Sequence, residues 1–122
     1  MLGMMMAIAS FPAQIETSNL RVPKAYHQMD RAEIERAVIG HAYALPIGSI
    51  SFGANMKIER HAREAWSTTY RPYQYDGNDL IEETGVGPAW VYRFYTNKAG
   101  RLWMIQSQSG WSYACALHPV SQ

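Results

Sequence analysis

The chain has 122 residues, enough for one domain and too few for two. Its 48% hydrophobic and 17% charged residues describe a globular chain rather than a disordered one. Eleven basic against ten acidic residues leave a net charge of +1, which excludes the basic footprint of a general nucleic-acid binder.

In chain order, residues 1–28 read as an extended N-terminal arm or the remnant of an export signal. Leu2 to Ala9 is a short apolar run, and Ala7-Ile8-Ala9 has the small-x-small form of a processing site, but no Lys or Arg precedes it. That run alone tilts the expectation toward a secreted or periplasmic protein over a cytoplasmic one. It is far shorter than the roughly 18 apolar residues of a membrane-spanning helix. Pro12 and Pro23 suit an extended lead-in, and residues 29–122 read as a single β-rich domain.

A helix is predicted over 31–39. Asp30 is placed to cap its first amides, Glu33 to reach back and complete a capping box, and Met29 and Ile34 to form the staple. Ile34, Ala37 and Val38 make its apolar stripe, and Gly40 ends it.

After Gly40 the hydrophobic period becomes two. Ile50 and Phe52, then Met56 and Ile58, alternate with polar residues around a Gly53-Ala54-Asn55 turn, which predicts a hairpin. A third strand is expected over 65–71 with Trp66, Thr68 and Tyr70 on one side. Residues 76–83 read as a solvated acidic loop, and Gly85-Val86-Gly87-Pro88 as a further turn.

The last third is argued by register. A four-residue loop at Asn97–Gly100 pairs Phe94 with Trp103 and Tyr92 with Ile105. A three-residue loop at Gln108–Gly110 then gathers Trp90, Tyr92, Phe94, Trp103, Ile105, Trp111, Tyr113, Cys115 and Leu117 on one face. A two-residue Ser109-Gly110 loop sets Ala114 and Ala116 beside Ile105 and Trp103 instead and breaks that face. The hydrophobic pattern favours the three-residue loop.

The expected fold is therefore α+β and mostly β: a short helix followed by an antiparallel up-and-down meander, forming a strongly curved sheet or small barrel. With Gly87-Pro88-Ala89-Trp90, the meander over about residues 41–118 resembles lipocalin-type ligand-binding barrels in architecture.

Catalytic and metal signatures are sparse. Cys115 is the sole cysteine, which excludes an intrachain disulfide and a multi-cysteine metal site. His27, His41, His61 and His118 have no ligand spacing, and Asp76, Asn78 and Glu82 lack that of a calcium loop. No phosphate loop, dinucleotide fingerprint or nucleophile elbow occurs, so no cofactor is expected. Basic groups interleave with aromatics between Lys57 and Arg71, but Glu59 and Glu64 offset them, and no nucleic-acid partner is expected.

The four Trp, eight Tyr and three Phe are the informative feature. They fill a small barrel, or they line one that holds a small apolar or ring-bearing ligand. The expectation is a non-catalytic binding domain whose concave face, made by Trp66, Tyr70, Trp90, Tyr92, Trp103, Trp111 and Tyr113, takes a small apolar ligand or a protein partner. Two alternatives are a structural or interaction subunit of an envelope or multi-protein assembly that uses residues 1–28, and a small hydrolase or isomerase with Trp66, Tyr70, Trp90 and His61 around its pocket.

Overall fold

A strand of period two has one apolar face to bury, and a meander of such strands buries all of them at once only by curling on itself. The computed structural model, which describes residues 22–45, 48–62 and 67–120, carries that curl to closure. Among the described residues there are nine strands and one helix. They run β1 (His27–Gln28), α1 (Arg31–Ala37), β2 (Ala42–Leu45), β3 (Gly48–Phe52), β4 (Lys57–Ala62), β5 (Ser67–Asp76), β6 (Asp79–Glu82), β7 (Trp90–Thr96), β8 (Leu102–Gln108) and β9 (Trp111–Pro119). Strands β2 to β9 pair antiparallel in chain order, and β9 returns to β2, closing an eight-stranded up-and-down barrel. β1 continues along β7 the edge that β6 leaves, with His27 opposite Thr96.

α1 closes one end. The Asp30 carboxylate accepts the Glu33 amide at 2.9 Å, and the Glu33 carboxylate accepts the Asp30 amide at 3.0 Å, so both partners of the capping box are engaged. A helix of seven residues holds only if it is packed. Met29, Ile34 and Val38 are buried against the barrel, and the Tyr43 hydroxyl donates to the Ala37 carbonyl at 2.9 Å. The helix ends at Ala37 rather than at residue 39. Beneath it Phe52, Ile58, Leu80, Phe94 and Met104 are fully buried, with Phe52 set edge-on to Tyr92 and Phe94 at 5.5 and 5.3 Å between ring centroids.

The far end is splayed. On β5, the ladder with β4 covers Ser67–Pro72 and the ladder with β6 covers Tyr73–Asp76, the two meeting where Glu83 donates to the Pro72 carbonyl and Tyr73 to the Met56 carbonyl. On β9, the ladder with β2 runs through His118 and Pro119. Among the described residues the walls therefore part on both sides of the long β7–β8–β9 surface, away from α1.

Five expectations are corrected. The connection between β7 and β8 has five residues, because Thr96 pairs with Leu102. Asn97 organises it: its side-chain oxygen accepts the amides of Ala99 and Arg101, both at 3.0 Å. The β8–β9 turn is the two-residue one, with Ser109 and Gly110 both at positive φ (46° and 87°), the form whose twist suits a tight hairpin. Trp103 thus faces Ala116, and Ile105 faces Ala114. The nine-residue face expected from the sequence does not exist: β8 presents Leu102, Met104, Gln106 and Gln108 inward, and Trp103 and Ile105 outward. The two loop differences cancel for β9, so Trp111 and Tyr113 still share a face with Trp90 and Tyr92. Met56 lies in the turn before β4 and is exposed. The stretch 76–83 is mostly strand, and its Glu82 is 1% exposed.

Candidate functional site

Interior positions of β7, β8 and β9 form layers along the barrel. Nearest α1, Thr96, Leu102 and Leu117 are neighbours; then come Phe94, Met104 and Cys115; then Tyr92, Gln106 and Tyr113; and at the splayed end Trp90, Gln108 and Trp111. Burial changes along that series. Phe94, Met104 and Tyr92 are fully buried, whereas Trp90, Trp111 and Tyr113 face the same interior and are only half-buried. Trp111 stands edge-on to Trp90 at 5.3 Å and stacks with Tyr113 at 6.4 Å and 10°. The Gln108 amide donates to the Pro88 carbonyl at 2.7 Å and ties the loop before β7 to this rim.

Below the rings lies a charged network. Arg60 shares the inward face of β4 with Ile58, and Glu82 shares that of β6 with Leu80. Arg60 Nη1 donates to Glu82 Oε2 at 3.0 Å, and Nη2 donates to both Glu82 Oε1 and the Tyr92 hydroxyl. The Tyr92 hydroxyl donates to Glu82 Oε1 at 2.5 Å and accepts from Gln106 Nε2 at 3.2 Å. Glu82 is also the cross-strand neighbour of Trp90, which joins the network to the aromatic layer.

The charges follow from that packing. Burial opposes the charge of Arg60, but the hydrogen bonds and fields of Glu82 and Tyr92 outweigh it and hold the guanidinium even more firmly protonated than usual. Burial raises the Tyr92 phenol far above its ordinary range, so it stays neutral and remains a donor. Tyr113 is raised by burial and by the neighbouring Cys115, and the Cys115 thiol is itself pushed up by burial. A buried, protonated thiol is a poor nucleophile.

The expected site residues separate into three groups. Trp90, Tyr92, Trp111 and Tyr113 come together as described. Trp103 is on the outer wall, edge-on to Tyr26 at 6.5 Å, with its indole N–H buried and unpartnered among the described residues. Tyr70 is also outside, 58% exposed, because it pairs with Glu59 on the solvent face of β4 and β5. Trp66 lies outside the described residues. His61, 2.8 Å from the Thr68 hydroxyl, is exposed on that outer face too, so the pocket of the hydrolase or isomerase alternative is not assembled by His61, Tyr70 and Trp90.

Arg60 and Glu82 were not among the expected site residues. The signal was present: each sits two residues from a buried aliphatic residue, Ile58 or Leu80, within a strand alternation. With Arg60 committed to Glu82, the basic–aromatic stretch from Lys57 to Arg71 also loses its central cation to the interior. A concavity of about 620 Å³ opens at the helix end between Arg36, His41, Thr96 and Val120. Its aromatic members, Tyr43 and Phe52, are already fully buried, which leaves no ring face for a ligand.

Among the described residues no group of three or more His, Cys, Asp or Glu is arranged to hold a metal ion, and no helix is long and apolar enough to cross a membrane. Comparison of the chain with protein-family models, with curated proteins and with solved structures found no match.

Proposed function

We propose that this domain is a lipocalin-like binding protein that takes a small, ring-bearing apolar molecule into the splayed end of its barrel. The observation that carries this reading is the gradient of burial along one interior face. Phe94, Met104 and Tyr92 are sealed, while Trp90, Trp111 and Tyr113 on the same face keep part of their rings exposed. Interior positions of a small barrel are normally filled by side chains, so partly exposed indoles there leave apolar surface for a guest to cover. Aromatic rings reward a flat guest further, since offset and edge-on ring pairs are worth about 0.5–1.5 kcal/mol beyond their buried area. The chemistry on this surface is that of binding: the thiol is protonated, the buried carboxylate is neutralised by Arg60, and His61 is on the outside.

The test is titration with N-phenyl-1-naphthylamine, followed by quenching of indole emission. Saturable quenching is expected in the unaltered chain, with affinity reduced at least about tenfold in Trp90→Ala and in Trp111→Ala. Trp103→Phe, on the outer wall, serves as the control and is expected to keep the affinity. No saturable binding, or equal loss in all three variants, overturns the reading.

A further inference from the structure

We infer that the guest is uncharged and carries a carbonyl-type hydrogen-bond acceptor, which Arg60 recognises from below the rings; the inference rests on the binding reading just given. A guanidinium has five N–H donors. Arg60 directs three hydrogen bonds to Glu82 and Tyr92, which leaves two donors without a partner among the described residues. The exposure of the network is uneven in the same sense: the Arg60 side chain is 29% exposed, while Glu82 is 1% exposed and Tyr92 wholly buried. The cation is thus the member that reaches the open part of the interior. Glu82 is directly cross-strand from Trp90, and Tyr92 is two residues along β7, about 6.6 Å at the usual rise. A ring held against Trp90 and Trp111 therefore has the Arg60 side of the network within the length of one substituent.

The sign of that substituent follows from Glu82. Its carboxylate is paired through both oxygens, so the site presents donors without net positive charge. An anionic guest would bring an uncompensated negative charge into a poorly solvated interior, close to a second carboxylate that cannot leave. A neutral acceptor gains a charge-assisted hydrogen bond without that penalty. The two spare donors, together with the pairing that cancels their charge, specify a ketone, ester or amide oxygen over a carboxylate.

Three probes built on one ring system separate this inference from the reading beneath it: naphthalene, 2-acetonaphthone and 2-naphthoate, the last two alike in shape, each competed against N-phenyl-1-naphthylamine. In the unaltered chain 2-acetonaphthone is expected to bind about tenfold more tightly than naphthalene, the worth of one hydrogen bond to a charged donor, and more tightly than 2-naphthoate. Glu82→Gln uncovers the positive charge, and 2-naphthoate is then expected to overtake 2-acetonaphthone. The double substitution Arg60→Met with Glu82→Met removes both charges and is expected to leave naphthalene binding while abolishing the preference for the ketone. Naphthalene bound without any preference for the ketone, or 2-naphthoate preferred by the unaltered chain, overturns the inference and leaves the binding reading standing. Failure of all three probes to displace bound N-phenyl-1-naphthylamine likewise overturns the inference alone, whereas failure of N-phenyl-1-naphthylamine itself to bind overturns both.

Discussion

The guanidinium of Arg60 on β4 meets both carboxylate oxygens of Glu82 on β6, the two strands that flank β5, and the carboxylate is sealed there at 1% exposure. A paired buried charge and a stranded one differ greatly in cost. Arg60→Met strands Glu82 and is expected to destabilise the domain by about 3 kcal/mol, near the low end for buried pairs because the arginine keeps some solvent. Adding Glu82→Met removes the stranded charge and is expected to recover most of that loss. Urea midpoints of the single and double variants check this; a double variant no better than Arg60→Met would refute it.

That pair also shows where the sequence was readable and where it was not. The change of period after Gly40, the hairpin turn near Gly53 and the up-and-down order were all legible, because alternation and turn residues are local. Glu82 was misread as a loop residue because Asp76 to Glu83 holds four acidic groups, and composition outweighed the alternation of Leu80 with Glu82. The face of β8 was not legible for a different reason. Leu102 and Met104 on one side are as apolar as Trp103 and Ile105 on the other, so hydrophobicity cannot choose between registers and loop geometry decides. Asn97 holding two amides and Ser109 accepting a positive φ are loop facts with little trace in the pattern. Their effects cancel on β9, which is why the part of the site made by Trp90, Tyr92, Trp111 and Tyr113 could be read while Trp103 could not.

The helix that plugs the barrel depends on its cap. Asp30→Ala removes an acceptor for the Glu33 amide and is expected to cost about 1 kcal/mol. An unchanged urea midpoint would contradict it.

Acid acts on the same cap. The Asp30 amide, followed by His27, lowers the Glu33 carboxyl below its ordinary 4.5. A folded-state value below the unfolded one gives stability that is present above about pH 4.5 and is lost as pH falls through the folded value. Glu33→Gln is expected to flatten the pH dependence of Tm in that acidic window while leaving a small, constant loss at neutral pH. An acid limb of the same steepness in the variant would count against the capping box.

At the alkaline limit the tyrosines decide. Burial pushes Tyr43 and Tyr75 up to about 12 from an ordinary 10.0, and Tyr92 and Tyr113 higher still. Because these values rise on folding, the stability linked to them is complete below pH 10 and drains away as pH climbs through the folded values. Tyrosinate absorbance should therefore show a late phase that coincides with the loss of circular dichroism. Smooth titration near pH 10 with the fold intact would mean that these rings are not buried as described.

The β8 register supports the sharpest comparison, because it reverses the order that residue size alone suggests. Met104 faces inward, fully buried between Phe94 and Cys115, so Met104→Ala opens a cavity that is expected to cost about 2–5 kcal/mol. Trp103 is larger but lies on the outer wall, half-buried against Tyr26, and among the described residues its indole N–H has no hydrogen-bond partner to lose. Trp103→Ala is accordingly expected to cost less than Met104→Ala. The turn that sets this register has its own test. Gly110 at φ 87° admits a β-branched side chain only under strain, so Gly110→Val is expected to cost about 1–3 kcal/mol. Ser109→Asn, which places a residue tolerant of positive φ at 46°, is expected to raise the urea midpoint. Should Trp103→Ala prove costlier than Met104→Ala while Ser109→Asn brings no gain, the indole would belong inside and β8 would have to be turned over. The layer of Gln106 beneath the rings, and its hydrogen bond to Tyr92, would go with it.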